Sequence, residues 1–111
     1  MTASVRGVAM SAAFVIEEFA PVIRNTLRGF ARVRMPSGMV LHDVAIHQQN
    51  GTAWASPASK AMVGRDGTVM RDAAGKIQYA PVVAFTSREL RDRFSASVIA
   101  ALRDRHPEAL S

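Results

Sequence analysis

The sequence predicts an α+β domain in which an antiparallel sheet of about five strands carries one C-terminal helix on its apolar face. Segments with strand-like alternation and β-forming residues, separated by turn signals, fill most of the chain. A single segment with helical periodicity lies near the C-terminus, and 111 residues suit one domain. We expect this domain at residues 13–106, between a flexible N-terminal segment at residues 1–12 and a C-terminal tail at residues 107–111.

The first predicted strand, residues 14–24, is rich in β-forming residues, and Pro21 places it at a sheet edge or a bend. A short helix is the alternative, because the alternation is poor. Residues 27–35 show the clearest alternation of the chain. One face of this second strand would carry Arg28, Phe30, Arg32 and Arg34, and the other Gly29, Ala31, Val33 and Met35.

The third strand is predicted at residues 39–48. With a two-residue loop at Ser37-Gly38, Arg32 lies opposite Asp43 and Val33 lies opposite His42. This register separates polar from apolar side chains, whereas a shift by one residue would mix them. We therefore expect His42 at the apolar face, with a bulged loop as the alternative.

The Asn50-Gly51 pair predicts a tight turn into a short strand at residues 52–56. Residues 57–79 are expected to form a long loop that contains a small hairpin. A further strand is predicted at residues 79–85, with Pro81 at an edge.

Residues 87–106 are predicted to form the helix. Thr86 and Glu89 have the spacing of a capping box, and Phe85 is placed to pack on Leu90 as a hydrophobic staple.

One face of the predicted helix is apolar at helical spacing. It comprises Leu90, Phe94, Ser97, Val98, Ala101 and Leu102. Ile99 points away from this stripe, so we predict it as a dimer contact. Because one helix covers only part of such a sheet, we expect a homodimer.

Composition favours an acidic partner for this chain, and nucleic acid is the first candidate. The chain has 14 basic and 9 acidic residues and a formal net charge of +5. It has no cysteine, which excludes a disulfide scaffold, a thiolate metal site and a cysteine nucleophile and fits a reducing compartment.

The N-terminal region contains the only apolar run that resembles a targeting segment, residues 7–16. Glu17 and Glu18 interrupt it, and no convincing cleavage site follows. We expect a cytoplasmic protein without membrane contact, with Met1 and Met10 as alternative starts.

The second strand is the predicted nucleic-acid site. Phosphates need spaced cations, and unpaired bases need a flat apolar surface on which to stack. The face formed by Arg28, Phe30, Arg32 and Arg34 supplies both within about 20 Å. The alternative is an ordinary solvated face with a half-buried Phe30 and an Arg32–Asp43 pair.

Basic residues of the long loop could wrap a phosphate chain. They are Lys60, Arg65, Arg71 and Lys76. Asp66 and Asp72 reduce the local charge, so ordinary loop solubility is an equal alternative.

No metal site is expected from His42, Asp43 and His47. Neighbouring strand residues point to opposite faces, and Asp43 and His47 would lie about 13 Å apart. The chain offers few other ligands.

No catalytic residues or cofactor are expected either. Ser56, Ser59 and Lys60 do not match the S-x-x-K pattern. Gly64–Gly67 lacks the spacing of a phosphate-binding loop.

Several short strings make the chain similar to the septation protein SpoVG family. They are Val40–Val44 (VLHDV), Asn50-Gly51, Pro57, Ser59-Lys60, Arg71-Asp72 and Pro81–Val83. The chain departs from the family pattern by an extra residue between Pro57 and Ser59-Lys60 and by a longer stretch at residues 61–79.

The resemblance implies a small α+β fold, a dimer, and DNA and RNA binding as a bacterial regulator. It implies contacts near the C-terminal helix, which here carries Arg88, Arg91, Arg93, Arg103 and Arg105. Leu27–Phe30 also resembles short proteins encoded near phage replication genes, which makes single-stranded DNA a sensible ligand.

The sequence therefore predicts a non-enzymatic, dimeric nucleic-acid-binding protein that takes single-stranded DNA, RNA or duplex as its partner. The rival interpretation is a protein-interaction or structural dimer without affinity for nucleic acid.

Overall fold

The computed structural model describes residues 13–110, so the segment expected to be flexible, residues 1–12, lies outside the described part of the chain. The fold is α+β, as predicted: a four-stranded antiparallel sheet, a second sheet of two strands and one C-terminal helix. The strands are β1 (Val15–Arg24), β2 (Leu27–Arg34), β3 (Val40–Gln49), β4 (Thr52–Ser56), β5 (Ser59–Ala61) and β6 (Tyr79–Pro81). The helix, α1, is Arg88–Arg105, and a 3-10 helix follows at Pro107–Leu110.

The four-stranded sheet follows chain order, β1-β2-β3-β4, and each strand is antiparallel to the next. β1 forms one edge, in agreement with Pro21, because a proline has no N–H for a second neighbour. Asn50 and Gly51 have φ values of 51° and 80°, as in a two-residue type I′ turn, and Gln49 pairs with Thr52 across it. The segment predicted as a fifth strand contributes β6 to the small sheet and pairs with β5.

The predicted register between β2 and β3 is right in the middle of the hairpin and wrong towards its loop. Phe30 pairs with Ala45, as expected, whereas Val33 pairs with Leu41 instead of His42. The loop has three residues rather than two, since the N–H of Met35 donates to the carbonyl of Met39 at 2.8 Å.

A β-bulge in β3 absorbs this difference in register. Asp43, in the bulge, has a positive φ of 57°. His42 beside it is exposed, so the prediction that it lies at the apolar face is wrong. The bulge turns the side chains of His42 and Asp43 towards solvent.

Helix α1 begins one residue later than the predicted capping box requires. Ser87 is the cap: its backbone is extended, and its Oγ accepts a hydrogen bond from the N–H of Leu90 at 3.2 Å. Thr86 and Glu89 therefore do not form the box, because the register of the first turn is set by Ser87.

The predicted staple between Phe85 and Leu90 is also wrong. Leu90 is 45% exposed. Phe85 contacts Phe94 instead, with ring centroids 5.2 Å apart.

Helix α1 packs across one face of the four-stranded sheet and closes a single core. The buried residues are Ile16, Ala31, Val33, Val44, Ile46, Ala55, Phe94, Val98, Ile99, Leu102 and Leu110. The prediction that Ile99 points away from the helix's apolar face is wrong, since Ile99 is only 6% exposed. The apolar arc of α1 extends past Val98 to Ile99, so this residue offers little surface for the predicted dimer contact. Leu110, in the expected tail, belongs to this core, and Ala109 packs against it.

Residues 59–81 form a compact β-structure, which we call the arm. β5 and β6 close its base, and two short hairpins extend from it, where a single one was expected. A ring of three backbone hydrogen bonds joins them: Met62 donates to Gln78 at 2.8 Å, Gln78 to Met70 at 2.9 Å and Met70 to Met62 at 2.8 Å. This ring explains how a segment with so few buried side chains keeps an ordered backbone.

Aspartates shape the two hairpin turns of the arm. Asp66 accepts hydrogen bonds from the N–H and the hydroxyl of Thr68 at 3.1 and 2.7 Å, and these bonds hold the pKa of Asp66 below its ordinary value. Asp72 accepts from the N–H groups of Ala74 and Lys76 at 2.9 and 3.0 Å. Asp66 and Asp72, which adjoin Arg65 and Arg71 in the sequence, therefore act as turn residues.

Among residues 13–110, no helix combines the length and the hydropathy that a membrane span requires.

Candidate nucleic-acid interface

The face of the four-stranded sheet opposite α1, which we call the outer face, carries the predicted strand-face residues. Gly29, Ala31 and Val33 of β2 are buried towards α1. Strand alternation therefore places the residues between and beside them on the outer face. They are Arg28, Phe30, Arg32 and Arg34, of which the first three are half-buried and the last is exposed.

Two of these arginines are already paired with carboxylates of β1. Nε of Arg32 lies 3.3 Å from Glu17, and a guanidinium nitrogen of Arg34 lies 3.5 Å from the other oxygen of the same carboxylate. Glu18 lies 3.6 Å from Arg32. A bulge between Ile16 and Glu18 brings both glutamates within reach. The predicted pairing of Arg32 across the sheet with Asp43 is therefore wrong.

Arg28 is held at the start of β2 by the adjacent turn. Its NH1 donates to the carbonyl oxygens of Asn25 and Leu27 at 2.7 and 2.9 Å. Burial, and then the positive charge of Arg28, lower the pKa of His47 below its ordinary value. His47 is therefore mainly neutral at pH 7, and its ring is suited to stacking and hydrogen bonding.

The imidazole of His47 stacks on the indole of Trp54. The ring centroids are 5.4 Å apart and the planes differ by 8°. The Nδ1 of His47 lies 3.0 Å from the hydroxyl of Thr26, and this contact orients the ring. This stack was not predicted from the sequence, although the sequence contained a signal for it. A two-residue turn at Asn50-Gly51 places Trp54 opposite His47.

A cleft of about 500 Å³ lies where the outer face meets the base of the arm. Phe30 and Asp43 come from the sheet, and Tyr79 and Ser59 come from the arm. His47 also lines the cleft, so the His47–Trp54 stack borders it. Tyr79 is 59% exposed. The sequence contained no signal for Tyr79, because only the folding of the arm brings it to the sheet.

The predicted basic residues of the loop lie along the arm. They are Lys60, Arg65, Arg71 and Lys76, and all four are exposed. Arg71 is partly fixed, since its NH1 donates to the carbonyl of Gly75 at 2.9 Å. None of the four lines the cleft, although Lys60 is adjacent to Ser59, which does.

The arginines of α1 are exposed, and none of them lines this cleft. Arg91 lies 3.6 Å from Asp92, and Arg93 lies 3.6 Å from Glu89. Arginines and aromatic rings also meet on the helix side, where Arg91 lines one cavity with Trp54 and another with Phe85. The outer face differs in that three rings, those of Phe30, His47 and Tyr79, line one cleft together.

Within residues 13–110, His, Asp and Glu side chains form no group of three or more that could hold a metal ion. Ser56 and Ser59 line the cleft, whereas Lys60 does not.

No family model, curated protein or solved structure matches this chain in the comparisons. The similarity to the SpoVG family stays a prediction from the sequence.

Proposed function

We propose that this chain is a non-enzymatic protein that binds single-stranded nucleic acid on its outer face. The observation that carries the proposal is the aromatic lining of the cleft: Phe30, His47 and Tyr79 line it, and the indole of Trp54 stacks on His47. Partly exposed rings on a sheet are a surface on which unpaired bases can stack, and each stacked base contributes about 1–3 kcal/mol.

The charges of the outer face favour stacking over phosphate attraction as the main source of affinity. Glu17 and Glu18 offset Arg32 and Arg34 on this face. We then expect Arg28 and the exposed cations of the arm to make the phosphate contacts. Among these cations, Lys60 is the one adjacent in sequence to Ser59, which lines the cleft. A duplex has its bases paired and stacked internally, so it cannot use the aromatic surface, and we expect single strands to bind more tightly.

Trp54 allows a direct test because it is the only tryptophan in the chain. Unlabelled single-stranded dT and rU oligonucleotides, and a DNA duplex, would be titrated into the protein at low and physiological salt. Bases that stack at the cleft are expected to change the Trp54 fluorescence. We expect saturable quenching by the single strands and little by the duplex.

The matched variants are Phe30→Ala on the outer face and Leu90→Ala on α1, where Leu90 is 45% exposed. The first should weaken single-strand binding about tenfold by loss of one stacking ring, and the second should leave it unchanged. Absence of binding by the wild type, or equal losses in the two variants, would exclude the outer face as the site.

A second candidate function, a homodimer that acts through protein contacts, is favoured by apolar residues on the arm. Met62, Val63, Val69, Met70 and Ile77 are between 36% and 53% exposed. A second copy of the arm could cover them. Light scattering after size exclusion, with Val63→Ser and Met70→Ser, tests this: wild-type dimers that these variants dissociate would support it, and a wild-type monomer would exclude it.

The proposal includes two predictions from the sequence. One is a cytoplasmic location, which the absence of cysteine fits. The other is a regulatory role, as the resemblance to the SpoVG family implies.

A further inference from the structure

The cleft contains a carboxylate that the stacking function does not explain. Asp43 lines the cleft together with Phe30 and Tyr79. Its carboxylate has no hydrogen-bond or ion-pair partner among residues 13–110. A negative charge here repels phosphate, so Asp43 weakens any binding that depends on the sugar-phosphate backbone alone.

The backbone at Asp43 is held in an uncommon conformation. Its φ of 57° lies in the left-handed region, and the residue sits in the bulge of β3. Residues held in such conformations cluster at active sites and ligand-binding sites. Asp43 precedes Ala45, the partner of Phe30, by two positions, so its Cα lies no more than about 7 Å along the chain from that of Ala45. A base stacked at Phe30 is therefore within reach of the carboxylate.

We propose that Asp43 makes the cleft selective for guanine in a single strand. This inference rests on the proposed function. An ionised carboxylate only accepts hydrogen bonds, and it has two oxygens side by side. Guanine alone among the common bases offers two adjacent donors on its Watson–Crick edge, the N1–H and the N2 amine. Adenine and cytosine each place an acceptor next to their amine, and uracil and thymine flank a single N–H with two carbonyls.

The test uses labelled dT 12-mers with a single central guanine, adenine, cytosine or inosine, measured by fluorescence anisotropy with the full chain. The wild type should bind the guanine strand about tenfold more tightly than the adenine strand, within the range expected for a bidentate contact to one base. Inosine keeps the N1–H and lacks the N2 amine, so its strand should lose most of this preference.

Asp43→Asn is the informative variant, since asparagine also tolerates a positive φ and presents one donor and one acceptor. It should retain binding to the dT strand and lose the guanine preference. Asp104→Asn on α1 removes the same charge outside the cleft and should keep the preference.

A guanine preference that persists in Asp43→Asn, or equal binding of all four strands by the wild type, overturns this inference and leaves single-strand binding intact. Failure to bind any strand overturns both proposals.

Discussion

The imidazole of His47 lies parallel to the indole of Trp54 across the β3–β4 hairpin, with 5.4 Å between the ring centroids. The two residues form a cross-strand pair, and their rings extend the apolar part of the outer face beyond Phe30. Such a pair stabilises the hairpin by about 0.2–1 kcal/mol and also presents a flat surface to solvent.

Trp54→Ala should weaken binding of a single-stranded oligonucleotide by about tenfold, because one stacking surface worth about 1–3 kcal/mol is removed. Anisotropy of a labelled strand measures this, since the variant has no tryptophan of its own. Trp54→Phe keeps a ring and should retain most of the affinity. If the alanine variant binds as tightly as the phenylalanine variant, the ring has no role in binding.

The lowered pKa of His47 predicts a pH dependence of stability. The folded-state pKa lies below the ordinary value of 6.5, so at pH values between the two the unfolded chain binds more protons than the folded chain. The free energy of unfolding should therefore fall as the pH falls from 6.5 through the folded-state pKa. Urea unfolding of the wild type and of His47→Asn at a series of pH values measures the difference, which should shrink as the pH falls.

An NMR titration of the His47 ring tests the cause of that shift. Burial is the larger cause and the charge of Arg28 the second. Arg28→Gln should therefore raise the titration midpoint of His47 only part of the way to 6.5. A midpoint at or above 6.5 in the wild type would contradict both this prediction and the previous one.

Glu17→Gln should tighten single-strand binding and steepen its dependence on salt. Glu17 lies within 3.5 Å of both Arg32 and Arg34, and its neutralisation frees these arginines to contact phosphates and release counterions. Glu89→Gln on α1 causes the same change in net charge away from the outer face. An equal effect of the two variants would mean that only total charge matters.

Gly29→Ala should destabilise the fold by about 1–3 kcal/mol, the usual range for overpacking a core. A Cβ at this position would lie 2.5 Å from the carbonyl oxygen of Ala20 and 2.5 Å from the ring of Phe19. The carbonyl belongs to the backbone of β1 and cannot move away without breaking the sheet. Gly64→Ala is the control, since the atom nearest to its Cβ would be a side-chain oxygen of Asp66 at 3.3 Å, which has to shift by only a few tenths of an ångström. Thermal unfolding of both variants makes the comparison, and similar melting temperatures would contradict the prediction.

Ser95→Ala should destabilise the fold by about 1–3 kcal/mol because it leaves a buried N–H without a partner. Ala55 in the edge strand β4 is 4% exposed, and its N–H donates to the hydroxyl of Ser95 at 2.9 Å. Ser97→Ala, on the same helix, provides the control. Urea unfolding curves with equal midpoints for the two variants would show that water replaces the lost hydroxyl.

Local patterns predicted those parts of the fold that depend on neighbours in the chain. The alternation from Arg28 to Arg34 sorted β2 correctly into its two faces, because strand side chains alternate whatever the partner strand. The prediction of a turn at Asn50-Gly51 was also correct, because both residues favour positive φ whatever surrounds them. The helix was placed to within one residue, and the error concerned which of Thr86 and Ser87 caps it.

The errors arose where a distant segment decides the outcome. Arg32 pairs with Glu17 rather than Asp43 because bulges in β1 and β3 shift which residues face each other. A bulge depends on the twist and packing of the whole sheet and leaves little trace in sequence. Ile99 is buried because the buried arc of the helix is wider than the apolar stripe read from its periodicity.

Local patterns were sufficient to predict the α+β class, the strand β2 with its arginine and phenylalanine face, the β3–β4 turn and the helix. Each depends on contacts within a few residues, where steric and hydrogen-bonding preferences act directly. The charges that neutralise the arginines and the residues that surround the cleft depend instead on the packing of distant segments. Tyr79 lines the same cleft as Phe30 although almost fifty residues of chain separate them. This arrangement depends on how the arm folds back, which the free energy of the whole fold selects.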